Sequence, residues 1–237
     1  MIEYLTETGS TNSDLLQRLS GGDRLPEGHW LVANRQSDGR GRQGRDWFDG
    51  TGNFMGSTIV HRRAGDPPAE TLALVAGLAL HEAVAWHMPG KAELKLKWPN
   101  DLIAGKTKLA GILLEGQDQA VVIGIGVNLV SAPDIPGRET AALSQLGTAP
   151  DRDIFAQDLA RSFANELERW RTSGLEPILR RWSALAHEVG TPLTVNEPDG
   201  SQCKGEYAGL APDGSLRLRL ADGTLRAIHA GEVNLAE

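Results

Sequence analysis

The sequence predicts an α+β domain followed by a small all-β barrel. Helical periodicity occurs before and after a central run of β-prone segments, and short turns join those segments. Short connections favour antiparallel strands, because parallel strands need long crossovers. The composition changes after Gly190, where turn signals become frequent. We therefore expect one domain over residues 1–189 and the barrel over residues 190–237.

The first elements are a short helix and two strands on either side of a glycine-rich loop. Capping residues followed by leucines at helical spacing predict a helix that begins at Ser10 or Thr11. Residues 29–36 predict a strand that enters the loop, and residues 53–62 predict a strand that leaves it.

Two longer helices flank the central strands. The first lies between Pro67 and Met88, and its apolar positions are Leu72, Val75, Ala79, Ala83 and Trp86. Helical spacing returns from Asp151 to about Gly190, with a break at Gly174. The apolar face of this second stretch consists of Phe155, Leu159, Phe163, Leu167 and Trp170.

Four β-prone runs lie between these helices, separated by turn signals. They are residues 92–98, 101–105, 108–116 and 119–130. After Gly190, the turn sequences EPDG, APDG and ADGT separate further short β-prone runs. This pattern is typical of a barrel of about five strands.

Length, charge and cysteine content restrict the class of protein. The chain has 237 residues and a net charge of -7, which opposes non-specific binding to nucleic acid. Cys203 is the only cysteine in the sequence, so an intramolecular disulfide is excluded. The first residues lack the features of a secretory signal, and the most apolar stretch, 72–80, is about half a membrane span. We expect a soluble cytoplasmic protein.

The glycine-rich loop raises the question of nucleotide binding. Gly39, Gly41 and Gly44 match the dinucleotide-binding spacing, but turn-like residues follow them instead of the required helix. What remains is a flexible loop with three arginines and a tryptophan, namely Arg40, Arg42, Arg45 and Trp47. Guanidinium groups pair with phosphate oxygens and an indole stacks on a base, so the loop suits a nucleotide. A solvated basic loop or an RNA-contacting arm is the alternative.

Two polar segments of the central region are further candidates. Residues 97–102 (KWPNDL) place a cation, an aromatic ring, an amide and a carboxylate in one turn. An ordinary turn after proline explains the same residues. Lys106 and Lys108 begin the next strand, and spacing alone does not choose between them.

Taken together, five segments resemble the successive signatures of the biotin protein ligases. They are GSTN (9–12), RQSDGRGRQGRDW (35–47), KWPNDL (97–102), KLAGILLE (108–115) and IGIGVNL (123–129). The resemblance covers residues 1 to about 189, whereas the barrel matches by position and strand pattern. It implies a class II aminoacyl-tRNA-synthetase-like catalytic domain whose mixed, mostly antiparallel sheet is flanked by helices. It also implies that the C-terminal barrel is SH3-like.

The resemblance further implies an ATP-dependent ligase. Its first step joins the biotin carboxylate to the α-phosphorus of ATP, which gives biotinyl-5'-AMP and pyrophosphate. Its second step transfers biotin to a lysine of an acceptor protein. Fixed positive charge favours the meeting of two anions. The resemblance assigns catalysis to Lys108 and Arg40, with Lys108 bridging the biotin carboxylate and the α-phosphate.

The same resemblance assigns two ligand sites. The implied biotin site comprises Ser10, Thr11, Asn12, Gln36, Gly39, Arg40, Gly41, Arg42, Lys108 and Gly111. The implied ATP or adenylate site comprises Arg40, Arg42, Arg45, Trp47, Lys97, Asn100, Asp101, Lys108 and Asn128. In that site Trp47 would stack on adenine and Asn128 would meet its edge. Structural roles stay open for some of them: a helix N-cap for residues 10–12, a core position for Trp47 and a turn for Asn128.

Cofactors and partners also follow from the resemblance. Biotin and ATP with Mg²⁺ are the expected substrates, no tightly bound metal or organic cofactor is expected, and the metal-coordinating groups stay unassigned. The expected acceptor is a biotin carboxyl carrier domain of acetyl-CoA carboxylase or a related carboxylase.

The remaining expectations concern assembly and competing functions. GSTN begins at residue 9, which leaves no room for the DNA-binding domain of bifunctional members, so we expect no DNA partner. The short apolar stretch 72–80 predicts no membrane partner. A homodimer stays open. The alternative functions are a lipoate protein ligase and, in another class, an RNA-binding module.

Overall fold

The computed structural model describes residues 1–88 and 93–236, which form two sheets and five α-helices. The helices are α1 (Thr11–Ser20), α2 (Leu72–His87), α3 (Leu143–Leu146), α4 (Arg152–Thr172) and α5 (Leu175–Ala184). The strands of the first sheet are β1 (Ile2–Thr8), β2 (Trp30–Gln36), β3 (Phe54–His61), β4 (Leu94–Lys97), β5 (Asp101–Ala104), β6 (Thr107–Gln117) and β7 (Ala120–Val127). The strands of the second sheet are β8 (Pro192–Asn196), β9 (Gln202–Leu210), β10 (Leu216–Arg219), β11 (Leu225–Ile228) and β12 (Glu232–Leu235).

The first sheet is mixed and mostly antiparallel, as predicted. Its strand order is β1-β2-β3-β7-β6-β5-β4, and only the β1–β2 pair is parallel among the described strands. The four central β-prone runs form the antiparallel meander β4–β7, although residue 92 of the first run lies outside the described residues. Strand β1 is an addition to the prediction. It is an edge strand with mostly half-buried residues, so its sequence carries little apolar signal.

The helices begin and break where the sequence predicts. Ser10 is the N-cap of α1, and its side chain accepts a hydrogen bond from the Ser13 amide. Gly174 separates α4 from α5 with φ 75°, a backbone conformation that glycine adopts without strain. The five apolar residues predicted for the α4 face are all buried.

Helix α2 is a core helix that packs on α4 and on the sheet. Four of its five predicted apolar positions are buried, but the prediction for Trp86 is wrong, since Trp86 is 47% exposed. At the C-terminal end of α2 the buried residues are Ala83, Val84 and the following Met88, so the buried side does not continue along the spacing that predicted Trp86. The helical stretch Ala69–His87 has the length and apolar composition of a membrane span, yet most of it is buried within the fold.

The second sheet has five antiparallel strands in the order β11-β10-β9-β8-β12, which agrees with the predicted strand number. Cys203 is buried in β9. Apolar residues of this sheet, including Val195 and Leu218, join the same hydrophobic core as the first sheet. The Trp98 indole also donates to the Gly214 carbonyl at 3.2 Å. The domain boundary at residue 189 stays a prediction.

Candidate active site

Three glycines form the floor of a cleft on one face of the first sheet. Gly111 of β6 lies opposite Gly126 of β7. Gly124 lies on the same strand as Gly126, two residues before it. A Cβ on Gly126 would overlap the Trp47 ring, and a Cβ on Gly124 would overlap the Asn12 carboxamide. The absence of side chains at these positions therefore lets other groups lie flat against the strands.

The cleft brings together nearly all the residues that the sequence singled out. Its empty space is about 1210 Å³, including the part open to solvent. The predicted residues that line it are Ser10, Thr11, Asn12, Gln36, Arg40, Gly41, Arg42, Arg45, Trp47, Lys97, Asn100, Asp101, Lys108, Gly111 and Asn128. Gly39 does not line the cleft but is buried beside it, where its carbonyl accepts a hydrogen bond from the Trp47 amide at 2.8 Å.

One end of the cleft carries uncharged hydrogen-bonding groups. The Thr11 amide donates to Gln36 Oε1 at 2.8 Å, and the Thr11 and Ser57 hydroxyls lie 2.7 Å apart. Ser10 both caps α1 and lines the cleft, so its two proposed roles are compatible. Ser57 was missed from the sequence, because hydroxyl residues such as Ser57 and Thr58 inside a mostly apolar strand resemble ordinary β structure.

The loop 37–47 crosses the cleft as a folded loop and not as a helix N-terminus. Residues Arg42–Gly44 form one short 3-10 turn in which Gln43 and Gly44 have positive φ angles of 60° and 69°. The Gly41 amide donates to the Arg45 carbonyl at 2.7 Å, which closes the tip of the loop. This geometry agrees with the exclusion of a dinucleotide-binding fold.

The three arginines of the loop point to three different acceptors. Arg40 donates to the Ser13 hydroxyl at 2.6 Å. Arg42 donates to Asn100 Oδ1 at 3.1 Å, and burial lowers the pKa of this guanidinium. Arg45 forms a two-point pair with Glu232, at 2.9 and 2.6 Å. The arginines are thus held around the cleft and not spread over an open surface.

Two lysines and a carboxylate lie at the charged end. Lys108 Nζ is 2.6 Å from Asp101 Oδ1 and 5.8 Å from the Trp47 ring centroid. Lys106, in contrast, is exposed and does not line the cleft, so the structure distinguishes the two lysines by position. Burial lowers the pKa of Lys97, while the nearby Asp101 carboxylate acts in the opposite direction.

The second sheet and the segment after β7 add two charged residues that the sequence did not indicate. Glu232 at the start of β12 pairs with Arg45 and, at 2.5 Å, with Arg138. The hydrogen bond from Arg45 and the charge of Arg138 hold the pKa of Glu232 below its usual range. Both residues line the cleft. The position of Arg138 directly after a Pro-Gly pair was the one sequence feature that could have indicated a functional role for it. No sequence feature indicated a functional role for Glu232.

Three buried polar atoms of the cleft make no hydrogen bond among the described residues: Asp101 Oδ1, Trp47 Nε1 and Asn128 Oδ1. Asp101 Oδ1 is paired with the Lys108 ammonium at 2.6 Å, which leaves Trp47 Nε1 and Asn128 Oδ1. The other amide atom of Asn128 donates to the Ala141 carbonyl at 3.3 Å, which fixes the side chain. A buried polar atom without a partner is costly, so each is a candidate ligand contact.

The described residues contain no cluster of three or more His, Cys, Asp or Glu side chains that suits a metal ion. Asp101 and Asn100 bring oxygens to the cationic end of the cleft, where Asp101 Oδ1 lies 2.6 Å from Lys108 Nζ and Asn100 Oδ1 accepts from Arg42 at 3.1 Å. Both are hard donors of the kind that Mg²⁺ takes together with phosphate oxygens.

Comparison with known proteins places the chain in a family. Residues 6–128 match the model of the biotin/lipoate A/B protein ligase family. A biotin--[acetyl-CoA-carboxylase] ligase of Paracoccus denitrificans is 36% identical, over 97% of this chain and 98% of that protein. A ligase of the same name from Mycobacterium tuberculosis is 35% identical, over 98% of this chain and 88% of that protein.

A solved structure has the same fold. The biotin protein ligase of Aquifex aeolicus in complex with biotin and ATP superimposes with a TM-score of 0.85, over 99% of this chain and 98% of that one, at 24% identity. That superposition spans both sheets. The chain therefore belongs to the biotin/lipoate A/B protein ligase family and, within it, to the biotin protein ligases.

Proposed function

We propose that this chain is an ATP-dependent ligase that activates biotin as biotinyl-5'-AMP and then transfers it to a lysine of an acceptor protein. One observation carries the proposal: a single cleft has an uncharged hydrogen-bonding end at Thr11 and Gln36 and a cationic end at Lys97 and Lys108. Biotin has the matching polarity, with a neutral ureido ring at one end and a carboxylate at the other.

In the first step, a biotin carboxylate oxygen attacks the α-phosphorus of ATP. The bond from that phosphorus to the β-phosphate oxygen breaks, and pyrophosphate leaves with the electron pair. Lys108, at the cationic end of the cleft, bridges the carboxylate and the α-phosphate. Arg40, Arg42 and Arg45 balance the charge of the carboxylate and phosphates. Charges fixed before reaction stabilise the transition state more than flexible ones do.

In the second step, the ε-amine of the acceptor lysine attacks the acyl carbon of the mixed anhydride. The carbon–oxygen bond to phosphate breaks, AMP leaves with the electron pair, and the amine loses a proton. The protein needs no nucleophile of its own, because the substrates supply both.

The neutral end of the cleft suits biotin recognition. Ser10, Thr11, Asn12 and Gln36 offer donors and acceptors to the ureido group, and the glycine floor at Gly111 accommodates the bicycle. Gly39 acts from beside the cleft, by fixing the backbone of Trp47. Buried polar groups discriminate strongly against analogues that leave them unpaired.

The cationic end suits the nucleotide. Trp47 offers its indole face to adenine, and the unpartnered Asn128 Oδ1 offers an acceptor to the adenine amino group. Lys97 contacts the phosphates, while Asn100 and Asp101 offer oxygens to the Mg²⁺ that accompanies ATP. We propose no further cofactor.

We propose that the acceptor is a biotin carboxyl carrier domain, in a cytoplasmic setting without a DNA or membrane partner. We also propose that residues 190–237 form an SH3-like domain that helps to close the cleft, supported by the Arg45–Glu232 pair. A homodimer is supported by β6, whose residues 113–117 pair with β7 on one side and with no other described strand.

The test is incubation of the chain with labelled biotin, ATP and a carrier domain that contains the acceptor lysine. We expect ATP-dependent label on that lysine. Lipoate transfer without biotin transfer would assign the chain to lipoate ligation instead. Salt-dependent RNA binding without any acyl transfer would support the RNA-binding alternative, against which the confined positions of the arginines argue.

A further inference from the structure

Glu115 on β6 lies behind the neutral end of the cleft and does not line it. One carboxylate oxygen accepts a hydrogen bond from Asn12 Nδ2 at 2.8 Å, and the other lies 3.6 Å from Arg40 Nη2. Glu115 therefore contacts two residues of the proposed biotin site without reaching the ligand itself.

The carboxylate determines how the Asn12 amide is turned. A carboxylate only accepts hydrogen bonds, so Asn12 must give its NH₂ group to Glu115. The Asn12 oxygen then faces the opposite way, where it accepts a hydrogen bond from the Ser57 hydroxyl at 2.6 Å. That oxygen lies over Gly124 and keeps a second lone pair for a ligand N–H in the cleft.

The direction of hydrogen-bond donation at Asn12 also fixes the donors and acceptors among the hydroxyls of Ser57 and Thr11. Ser57 uses its one hydrogen on Asn12, so it must accept from Thr11, whose hydroxyl lies 2.7 Å away. Gln36 Oε1 then takes its short hydrogen bond from the Thr11 amide, at 2.8 Å. The Thr11 hydroxyl also lies 3.1 Å from Gln36 Oε1, and in the opposite direction it would donate there instead of to Ser57. Asn12 and the two hydroxyls can each donate and accept, so the acceptor-only carboxylate of Glu115 selects between the two directions.

We propose that Glu115 is a positioning residue that sets the direction of this network and so keeps the Asn12 oxygen available as an acceptor for a ureido N–H. The inference rests on the proposed function, since it takes biotin as the ligand. It adds a specificity role for a residue that does not touch the substrate.

Glu115→Gln separates this role from simple hydrogen bonding. Arg40 offers only donors, so the glutamine turns its oxygen to Arg40 and its NH₂ group to Asn12. Asn12 must then present its oxygen to residue 115 and its NH₂ group to the cleft, which reverses the network. A donor now faces the ureido N–H.

The experiment compares the Kd of biotin with the Kd of cyclic carbamate analogues, in which a ring oxygen replaces one ureido N–H. Both ligands have the same carboxylate, so any change at Arg40 cancels in the ratio. We expect Glu115→Gln to reduce the preference of the wild type for biotin by about tenfold or more. Glu206→Gln, an exposed change on β9, is the matched control and should keep the ratio.

A second variant provides rescue. Adding Asn12→Asp to Glu115→Gln transfers the acceptor-only carboxylate from residue 115 to residue 12. Ser57 then again donates its hydrogen bond to residue 12. The preference for biotin should recover. An unchanged ratio in folded Glu115→Gln, or no recovery in the double variant, would overturn the inference. Failure of the wild type to bind biotin would instead overturn the proposed function, and this inference with it.

Discussion

At the scale of single residues, Lys108 is the group on which the proposed chemistry depends most. Its ammonium is paired with Asp101 at 2.6 Å, so its charge is in place before the substrates arrive. We expect Lys108→Ala to lower the rate of biotinyl-adenylate formation by roughly a hundredfold or more, because one preorganised charge is lost. Single-turnover formation of the adenylate measures this.

The matched control is Lys106→Ala. Lys106 is exposed, begins the same strand region and does not line the cleft, so its removal should leave the rate within about twofold. A larger loss for Lys106→Ala than for Lys108→Ala would reverse the assignment.

Lys97 gives a pH dependence. Burial lowers the pKa of its ammonium, so Lys97 loses its charge at a lower pH than an ordinary lysine, whose pKa is about 10.4. The KM for ATP should therefore rise as the pH increases towards that range. Lys97→Arg keeps its charge and should shift this rise to higher pH. Identical pH profiles for the two proteins would exclude a phosphate contact from Lys97.

Sequence reasoning at this scale grouped residues that lie close together in the chain. GSTN and the arginine loop each form one local structure, so their residues reach the cleft together. It did not decide between Lys106 and Lys108, because the sequence does not show where the strand begins. In the structure Lys106 lies in the turn before β6, whereas Lys108 lies within the strand. It also assigned no role to Glu115, although this residue lies in a quoted motif, since its partners come from α1 and the loop.

At the scale of secondary structure elements, the glycine floor couples β7 to the arginine loop. A Cβ at Gly126 would overlap the Trp47 indole and displace it from its position against the strands. We expect Gly126→Ala to weaken ATP binding about tenfold, because the proposed adenine platform moves. Calorimetric titration with ATP measures the change.

Gly116→Ala is the control for this prediction. Gly116 is an exposed glycine of neighbouring β6, and a Cβ there meets nothing within 4 Å. The ATP affinity of the Gly116→Ala variant should match that of the wild type. Equal affinities in both variants would show that Trp47 does not need the glycine floor.

Most elements were predictable because their apolar residues follow a clear period. The α4 face and the meander β4–β7 agree with the sequence for this reason. Strand β1 was not predicted, since an edge strand needs little apolar surface. Trp86 was assigned to the core because it continues the spacing of Leu72, Val75, Ala79 and Ala83, whereas the buried residues at the end of α2 are Val84 and Met88.

At the scale of the whole molecule, Glu232 joins the second sheet to the loop that crosses the cleft. Its pairs with Arg45 and Arg138 hold its pKa below the usual range. A lowered carboxyl pKa contributes stability above the ordinary glutamate pKa of about 4.3, and this stability is lost as the pH falls through the lowered value.

Glu232→Gln should therefore lower the Tm at neutral pH, and the difference from the wild type should shrink below about pH 4. Thermal unfolding between pH 3.5 and 7.5 measures both. Glu206→Gln, on the exposed face of β9, serves as the control and should show no such trend. A Tm difference that grows towards acid would contradict the role of these pairs.

The contact between the two sheets is the part of the site that sequence could not supply. Arg45 and Glu232 are separated by 187 positions, and no local pattern connects them. Composition and turn spacing predicted about five C-terminal strands. They did not predict which of these strands would contact the cleft. Only the packing of β12 against the loop brings Glu232 to the arginines.

The central claim is that one cleft binds biotin and ATP together and joins them. Isotope exchange between pyrophosphate and ATP tests it most directly, because exchange requires reversible formation of the acyl adenylate. We predict exchange that depends on biotin, is absent with lipoate, and falls roughly a hundredfold or more in Lys108→Ala. Exchange that proceeds without biotin, or only with lipoate, would contradict the account.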